Sequence, residues 1–493
     1  MMGPAQQRDG KLFYTSFNLD DRIRPDNPLR QIQQHLDLTW VRMAVADRYG
    51  STGNPSIDPI ILLKLMLLLF LENIPSEREL LRRLPERLDW LWFCQYDLDS
   101  ELPGHSVLSK ARRRWGPEVF TTLFLRILQQ CIDAGLVDGS VIHMDSSLIQ
   151  GDVSVDSLQP AWVVQAQQLY RQLDQAESES SSSAESSPSG KTPPAKLRST
   201  DPQARARVKG SQKVIGYQEH RCVDDAYGII TTTKMTDASV NEGQTLPEML
   251  ERHETNTEMT PVTVVADNAY GLVENYKMLR ERGITPCIPH PEHSRKTQGK
   301  FCRDDFTYDA PKDCYFCPAG QRLTRQTDKP DATRREHMYM TGRGICQACP
   351  LRARCYTGNY CKRIHRHMDQ DTIDWADGCL PPHRRRTLLR HRTTTMEGSF
   401  GDAVNHGFKR ARWRGLWRVR IQSLLIAAIQ NLRKWLKYGR RSPTKPALLA
   451  SVLPRNVLSA AFGHAMAVVR CWHEGILDFV TLLIQKRPYV FLV

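Results

Sequence analysis

Asp145 closes a short apolar run, Val141-Ile142-His143-Met144-Asp145, and two hydroxyl residues, Ser146 and Ser147, follow it. Asp267 closes a second run of the same build, Val262-Thr263-Val264-Val265-Ala266-Asp267. Both runs read as buried β-strands with an aspartate where the strand leaves the core. A carboxylate at a buried strand end needs compensation, and a divalent cation is one way to supply it. Either aspartate alone is an ordinary strand-to-loop residue. Glu397, in a later segment of helical character, adds a third acid, with gaps of 122 and 130 positions between the three. Three such acids converging on one point would hold two hydrated Mg²⁺ or Mn²⁺ ions. Those ions would activate a water or a 3′-hydroxyl and stabilise the leaving oxygen of a phosphodiester.

The charge balance agrees with a polyanionic substrate. The chain has 493 residues, with 68 Lys+Arg against 54 Asp+Glu and a formal net charge of +14. The excess is concentrated: between Leu380 and Arg441 there are 16 Lys or Arg and two acids, Glu397 and Asp402. This favours nucleic acid as partner over a merely solvated face. The most apolar run, Pro59 to Leu71, is too short to span a bilayer and contains Lys64, so it reads as a core helix. Met1 to Asp9 is polar and lacks the apolar stretch of a secretory signal, which implies a cytoplasmic protein with reduced cysteines.

The elements that must position the acids can be read in order. Residues 1–135 are helical in pattern, with an amphipathic helix over Leu29 to Tyr49. A capping box sits at Ser76-Glu77-Arg78-Glu79, and a basic segment runs from Val107 to Trp115. The arginines of that last segment, Arg112 to Arg114, suit DNA phosphates or a solvated helix end about equally. Pro160 to Gln175 looks helical, and Glu177 to Ser199 is a low-complexity linker with too few apolar residues to fold. Lys213 to Cys222 and Gly228 to Met235 alternate as a hairpin. A helix over Glu242 to Glu251, the Asp267 strand, a helix around Gly271 to Arg282 and a strand at Ile284 to Ile288 follow. The sum is a mixed α/β sheet with both aspartates at strand C-terminal ends, where open α/β sheets place their sites. Thr393 is a plausible N-cap for the helix carrying Glu397, and Ile421 to Trp435 is a strongly apolar helix.

At this point the chain resembles the DDE transposases of bacterial insertion sequences, whose catalytic domain is RNase H-like. The matching pieces are Ile142-His143-Met144-Asp145-Ser146-Ser147, Val264-Val265-Ala266-Asp267-Asn268-Ala269-Tyr270-Gly271, and Arg392-Thr393-Thr394-Thr395-Met396-Glu397-Gly398-Ser399-Phe400-Gly401. The last continues to Arg412-Trp413-Arg414-Gly415-Leu416. Ser199 to Arg205, Gly216 to His220 and the helical segment from Ser56 to Arg114 look like further landmarks, so the resemblance spans roughly residues 10–438. It implies Asp145, Asp267 and Glu397 as the metal-binding catalytic triad and double-stranded DNA, element ends and target, as substrate. It further implies cleavage followed by strand transfer, and a homodimer or larger assembly on DNA. Arg392, Lys409, Arg410, Arg412 and Arg414 are the candidates for holding DNA. Two positions depart from relatives: Val404 stands where a lysine is common, and Arg392 is five residues before the glutamate instead of four. A nuclease on the same fold without strand transfer, or a DNA-binding protein built on a decayed transposase, are the rival readings.

Cys314-Tyr315-Phe316-Cys317 and Cys346-Gln347-Ala348-Cys349 are two CxxC pairs with 28 residues between them. Such pairs suit a tetrahedral Cys₄ zinc site. Cys302, Cys355 and Cys361 lie close by, and Cys355 or Cys361 is an alternative for a knuckle cysteine. His143 is expected to be a core histidine on the face of its strand opposite Asp145. Asp152 and Asp156 are weaker alternatives for the first acid. The expected organisation is a helical DNA-binding domain over 1–135 and an RNase H-like mixed sheet flanked by helices over 136–293, containing the 177–199 linker. A zinc-ribbon-like, Cys-rich insertion follows over 294–378, then the rest of the core over 379–441 and a tail over 442–493.

Overall fold

The computed structural model describes residues 18–50, 56–153, 158–160, 196–198, 200–209, 212–290, 300–326, 335–356, 358 and 360–439. Of the linker over 177–199, residues 177–195 and 199 lie outside these residues, as do nearly all of the helix expected over 160–175, Asp156 and the tail over 442–493. Against the expectation, Lys196–Arg198 near the linker's end is a strand, paired antiparallel with Leu158–Pro160.

The apolar periodicity of the first 135 residues becomes a series of short helices. They are α1 (Pro28–His35), α2 (Trp40–Val45), α3 (Pro59–Leu71), α4 (Glu77–Arg83), α5 (Leu88–Cys94), α6 (Val107–Trp115) and α7 (Glu118–Asp133). The single helix expected over 29–49 is broken because Asp37 turns back to cap the Thr39 amide at 2.9 Å. α3 is buried all round from Leu62 to Phe70. Its one lysine, Lys64, donates Nζ to the Phe93 carbonyl at 2.8 Å, which satisfies a charge that burial would otherwise penalise. Ser76 caps α4 through the Glu79 amide, as its spacing predicts.

The central sheet comprises β1 (Val141–Gln150), β2 (Arg205–Lys209), β3 (Gln212–Asp224), β4 (Ile230–Asp237), β5 (Thr263–Val265) and β6 (Thr285–Cys287). Its order is β2-β3-β1-β5-β6, with β4 also paired to β3. β1, β3 and β4 are antiparallel neighbours, whereas β5 and β6 run parallel to β1. Parallel neighbours need crossovers, supplied by α8 (Leu246–Thr257) before β5 and α9 (Val273–Glu281) before β6. The edge strand β2 had no signature in the sequence reading.

A second, five-stranded antiparallel sheet follows. It contains β7 (Thr307–Asp309), β8 (Cys314–Phe316), β9 (Arg322–Arg325), β10 (Glu336–Met340) and β11 (Ile364–His367), in the order β11-β10-β9-β8-β7. Two short helices, α10 (Arg343–Gln347) and α11 (Arg352–Cys355), lie between β10 and β11. The chain then returns through α12 (Gln370–Gly378), α13 (Pro382–Val404) and α14 (Leu416–Tyr438).

The central sheet is the middle layer. Ile142, Met144, Cys222 and Val264 pack on one face with Leu246, Met249, Tyr276, Ile373 and Ala376 from α8, α9 and α12. Ile149, Tyr217 and Val223 pack on the other with Met396, Phe400 and the apolar residues of α14. That second cluster continues without a break into α3, α6 and α7, so the N-terminal helices share a core with the sheet. α14 is buried on every side from Val419 to Leu432 apart from Arg420, as expected for a core helix. Its buried polar groups are used: Asn431 accepts from the Ile230 amide at 2.9 Å and donates to the Ile230 carbonyl at 2.7 Å.

α13 begins at Pro382, eleven residues before the start expected at Thr393. The threonines do not cap: Thr387, Thr393 and Thr394 donate their hydroxyls to the carbonyls four residues back, which keeps them inside the helix. Proline at the first turn makes Pro382 the better start.

Candidate active site

The β1–β5 ladder fixes the two aspartates. Val141 pairs with Thr263, Ile142 with Val264 and His143 with Val265. Extending that register by two residues sets Asp145 beside Asp267. β5 stops at Val265, so Asp267 sits past a strand end as expected. Asp145 does not: β1 runs on to Gln150 because β3 continues to pair with it, and Asp145 is mid-strand, opposite Arg221. It still lies beyond the last residue of β5, level with Asp267.

A third acid joins them. Carboxylate oxygens of Asp145, Asp267 and Glu242 all lie within 4.8 Å of one another, an arrangement that could hold a metal ion. Asn241 caps the turn in which Glu242 stands. Glu242 is buried and accepts from Arg207 Nη2 at 2.7 Å and Gln218 Nε2 at 2.8 Å. Gln218 also donates to Ser146 Oγ at 2.6 Å. The sequence offered little signal for Glu242, which read only as the start of a helix. Arg207 belongs to the edge strand that was not foreseen.

Asp267 bears the electrostatic cost of this grouping. Burial, then the charges of Asp145 and Glu242, raise its pKa above the ordinary 3.8, although its Oδ1 accepts the Ala269 amide at 3.0 Å. A divalent cation bound there would displace the proton and offset the repulsion among the three carboxylates.

α13 crosses the face of β1 that carries Asp145. Arg392 Nη1 donates to Asp145 Oδ2 at 2.7 Å. Arg392 is therefore the counter-ion of a candidate metal ligand in this state, and not a free DNA contact. Its neighbour His391 reaches Asp225 at 2.9 Å, and the same carboxylate oxygen accepts from His143. His143 is fully buried, as expected of a core histidine. Contrary to the expectation, it lies on the same face as Asp145, because residues two apart on a strand point the same way. Removing the competing guanidinium should favour metal. Arg392→Gln is expected to bind Mn²⁺ about tenfold more tightly in a calorimetric titration, the equivalent of one charge-assisted hydrogen bond no longer displaced.

Glu397 is on α13, exposed, five residues past Arg392, and is not one of the groups within 4.8 Å of the aspartates. The helix face that meets the sheet carries Met396, Ser399, Phe400 and Ala403. The five basic candidates divide. Lys409 Nζ donates to Ser147 Oγ at 3.1 Å, and Arg410 and Arg414 pair with Asp152 in an exposed loop. The segment carrying Lys409 and Arg410 is tied to the end of β1, where the Gln150 amide donates to the Lys409 carbonyl at 2.9 Å and the Ala411 amide to the Gln150 carbonyl at 2.8 Å. Arg412 is spent on structure: it donates to the Leu69 carbonyl and to Asn73, and covers the Phe70 ring. Arg112 of α6 is likewise buried, paired with Glu77 and stacked 3.9 Å from the Trp413 ring, so it does not face solvent.

Residues 17–114 match the family described as Transposase domain (DUF772), and residues 316–436 match the Transposase DDE domain. The chain carries the domains of a DDE-type transposase. As such it is an enzyme of DNA transposition that uses a divalent metal and acts on DNA. Asp145 and Asp267 lie between the two matched stretches, so their grouping is a finding of the structure, whereas Glu397 lies inside the second. Among solved structures, a piggyBac transposase synaptic complex with hairpin DNA is similar at TM-score 0.30 and 9% identity, over 87% of this chain and 82% of that one. No curated protein sequence matches the chain. Among the described residues of the transposase, no helix is long and apolar enough to cross a membrane.

Proposed function

We propose that Asp145, Asp267 and Glu397 are the catalytic acids of this transposase and that they hold two Mg²⁺ or Mn²⁺ ions. The observation that carries the reading is the β1–β5 register, which sets two aspartates 122 residues apart side by side, with Glu242 beside them. Carboxylate oxygens are the ligands Mg²⁺ prefers, and the crowding that raises the Asp267 pKa is what such ions relieve. Glu397 enters on α13, the helix that already brings Arg392 to Asp145. A metal held by Asp145 would compete with Arg392 for that carboxylate, and a guanidinium no longer paired there would be available to a substrate phosphate.

An RNase H-like core fits the strand order: an antiparallel β4-β3-β1 unit continued by parallel β5 and β6. In this reading residues 1–135 bind the element ends. Lys409, Arg410 and Arg414, held at the end of β1, contact the DNA backbone, where their charge contributes without reading sequence. The metals supply activation of a water for the first cut and of the 3′-hydroxyl for joining. Pairing of two ends requires a dimer or larger assembly, and the enzyme works on the nucleoid in the cytoplasm. The Cys-rich insertion has a structural role, with zinc as its organising ion.

The experiment is a joining assay. A labelled element end with a free 3′-hydroxyl is incubated with plasmid, Mg²⁺ and the purified chain. Labelled plasmid is the expected product, and cleavage without joined product would leave a nuclease.

A further inference from the structure

The second sheet is too small to hold itself together. Its buried cluster consists of Phe306, Tyr315, Leu323, Tyr339 and Ile364. Units with so little core depend on disulfides, metals or oligomerisation. Disulfides do not supply the staple, because Cys302, Cys314, Cys317, Cys346, Cys349, Cys355 and Cys361 are all free thiols.

Four of those thiols surround one cavity. Cys317, Cys346, Cys349 and Cys355 line it together with Phe306, Leu323 and two cations, Arg352 and Lys362. Each cysteine is placed by a separate local device. Cys317 opens the turn between β8 and β9, where Gly320 donates its amide to the Cys317 carbonyl at 2.8 Å and takes φ +73°. The Gln321 amide points back at Cys317 Sγ, 3.3 Å away, which is how a backbone donor supports a thiolate ligand. Cys346 and Cys349 flank the end of α10, and Cys355 ends α11. Arg352 and Lys362 line the same cavity, where they would balance the negative charge of a four-thiolate complex.

Cys314 is outside this group. It is fully buried, pairs with Asp309 and Thr324 in the sheet, and is absent from the cavity lining. It stands three positions before Cys317, an odd offset, so alternation continued past the end of β8 points the two to opposite faces. Cys355, and not Cys314, lines the cavity with Cys317, Cys346 and Cys349.

We infer that Cys317, Cys346, Cys349 and Cys355 form a single tetrahedral Zn²⁺ site and that Cys314 is not a ligand. This rests on the reading of the insertion as zinc-organised, and names its ligands. Cys317 and Cys355 pack against the small apolar cluster, so an ion held by the four sulfurs would tie α10, α11 and the β8–β9 turn to it.

The test uses the full chain. Metal analysis of the purified protein is expected to give about one zinc per chain. Alkylation with iodoacetamide before and after chelation, followed by peptide mapping, is expected to show Cys317, Cys346, Cys349 and Cys355 protected by zinc and labelled without it. Cys302 is labelled in both conditions. Cys314→Ser is expected to retain the zinc and Cys355→Ser to lose it. The mapping needs no variant, so it stands even where Cys355→Ser fails to fold. Absence of zinc overturns the zinc reading itself. Zinc accompanied by chelation-dependent labelling of Cys314 or Cys361 in place of Cys355 overturns the ligand set alone.

Discussion

Asp267→Asn is expected to lower both cleavage and joining by at least about 10³-fold, the loss of several kcal/mol of metal-borne transition-state stabilisation. The same variant is expected to be the more stable protein without metal. Asp267 is held by burial and by Asp145 and Glu242 with a pKa above 3.8. Such a group is protonated in both folded and unfolded chains at sufficiently low pH. As pH rises from 3.8 through the raised value, the unfolded chain ionises first and stability falls; above it the full cost remains. Asparagine lacks that cost and still accepts the Ala269 amide. The variant's advantage in Tm should therefore vanish near pH 3, grow with pH, and level off. Mg²⁺ should reverse the order by stabilising only the wild type, by about 2.7 kcal/mol at a hundredfold excess over Kd. Melting curves at several pH values, with and without Mg²⁺, check both parts. An equal response of the two proteins to Mg²⁺ would remove Asp267 from the metal site.

The second large effect is on folding. Arg221 is fully buried beside the equally buried Glu219 on β3. Its Nη1 donates to the Ser399 carbonyl and hydroxyl and to Gln430 Oε1 at 3.0–3.2 Å, and its guanidinium lies near the Phe400 and Phe408 rings. One side chain thus pins α13 and α14 to the strand opposite Asp145. Arg221→Met leaves Glu219 as an unpaired buried charge and is expected to cost about 3–5 kcal/mol. Changing Glu219→Leu as well should recover much of this, since an apolar pair avoids the desolvation of two ions. Urea denaturation of the single and double variants measures it. A loss below about 1 kcal/mol for the single variant would mean that the pair does not seat the helices.

The parts of the site that follow from strand patterning were legible in the sequence. Two apolar runs ending in aspartate specify adjacent buried strands, and their common offset of 122 reappears as the β1–β5 register. Features set by partner strands or by three-dimensional packing were not. Asp145 is mid-strand because β3 extends β1, which β1 alone does not disclose. Glu242 is polar among polar residues and acquires meaning only when the chain folds it toward Asp267. Arg112 and Arg412 look like DNA contacts by charge, yet aromatic rings and backbone carbonyls occupy them. Likewise, CxxC spacing suggests a knuckle at Cys314 and Cys317, whereas Cys317 without Cys314 lines the cavity shared with Cys346, Cys349 and Cys355.

Arg385 closes the circuit around the second sheet. It donates to the Ile288 carbonyl at 3.0 Å and pairs with Asp377, stitching the end of the central sheet to the start of α13. The two ends of the intervening excursion are therefore held together by contacts outside it. Held ends remove most of the dependence of the neighbouring geometry on the length of chain between them, since the entropy of closing a loop grows only slowly with its size. The second sheet is in this sense an exchangeable module. A lineage could lengthen, replace or shed it while β6 and α13 kept their relation, and selection on what the module binds could proceed apart from selection on the catalytic acids.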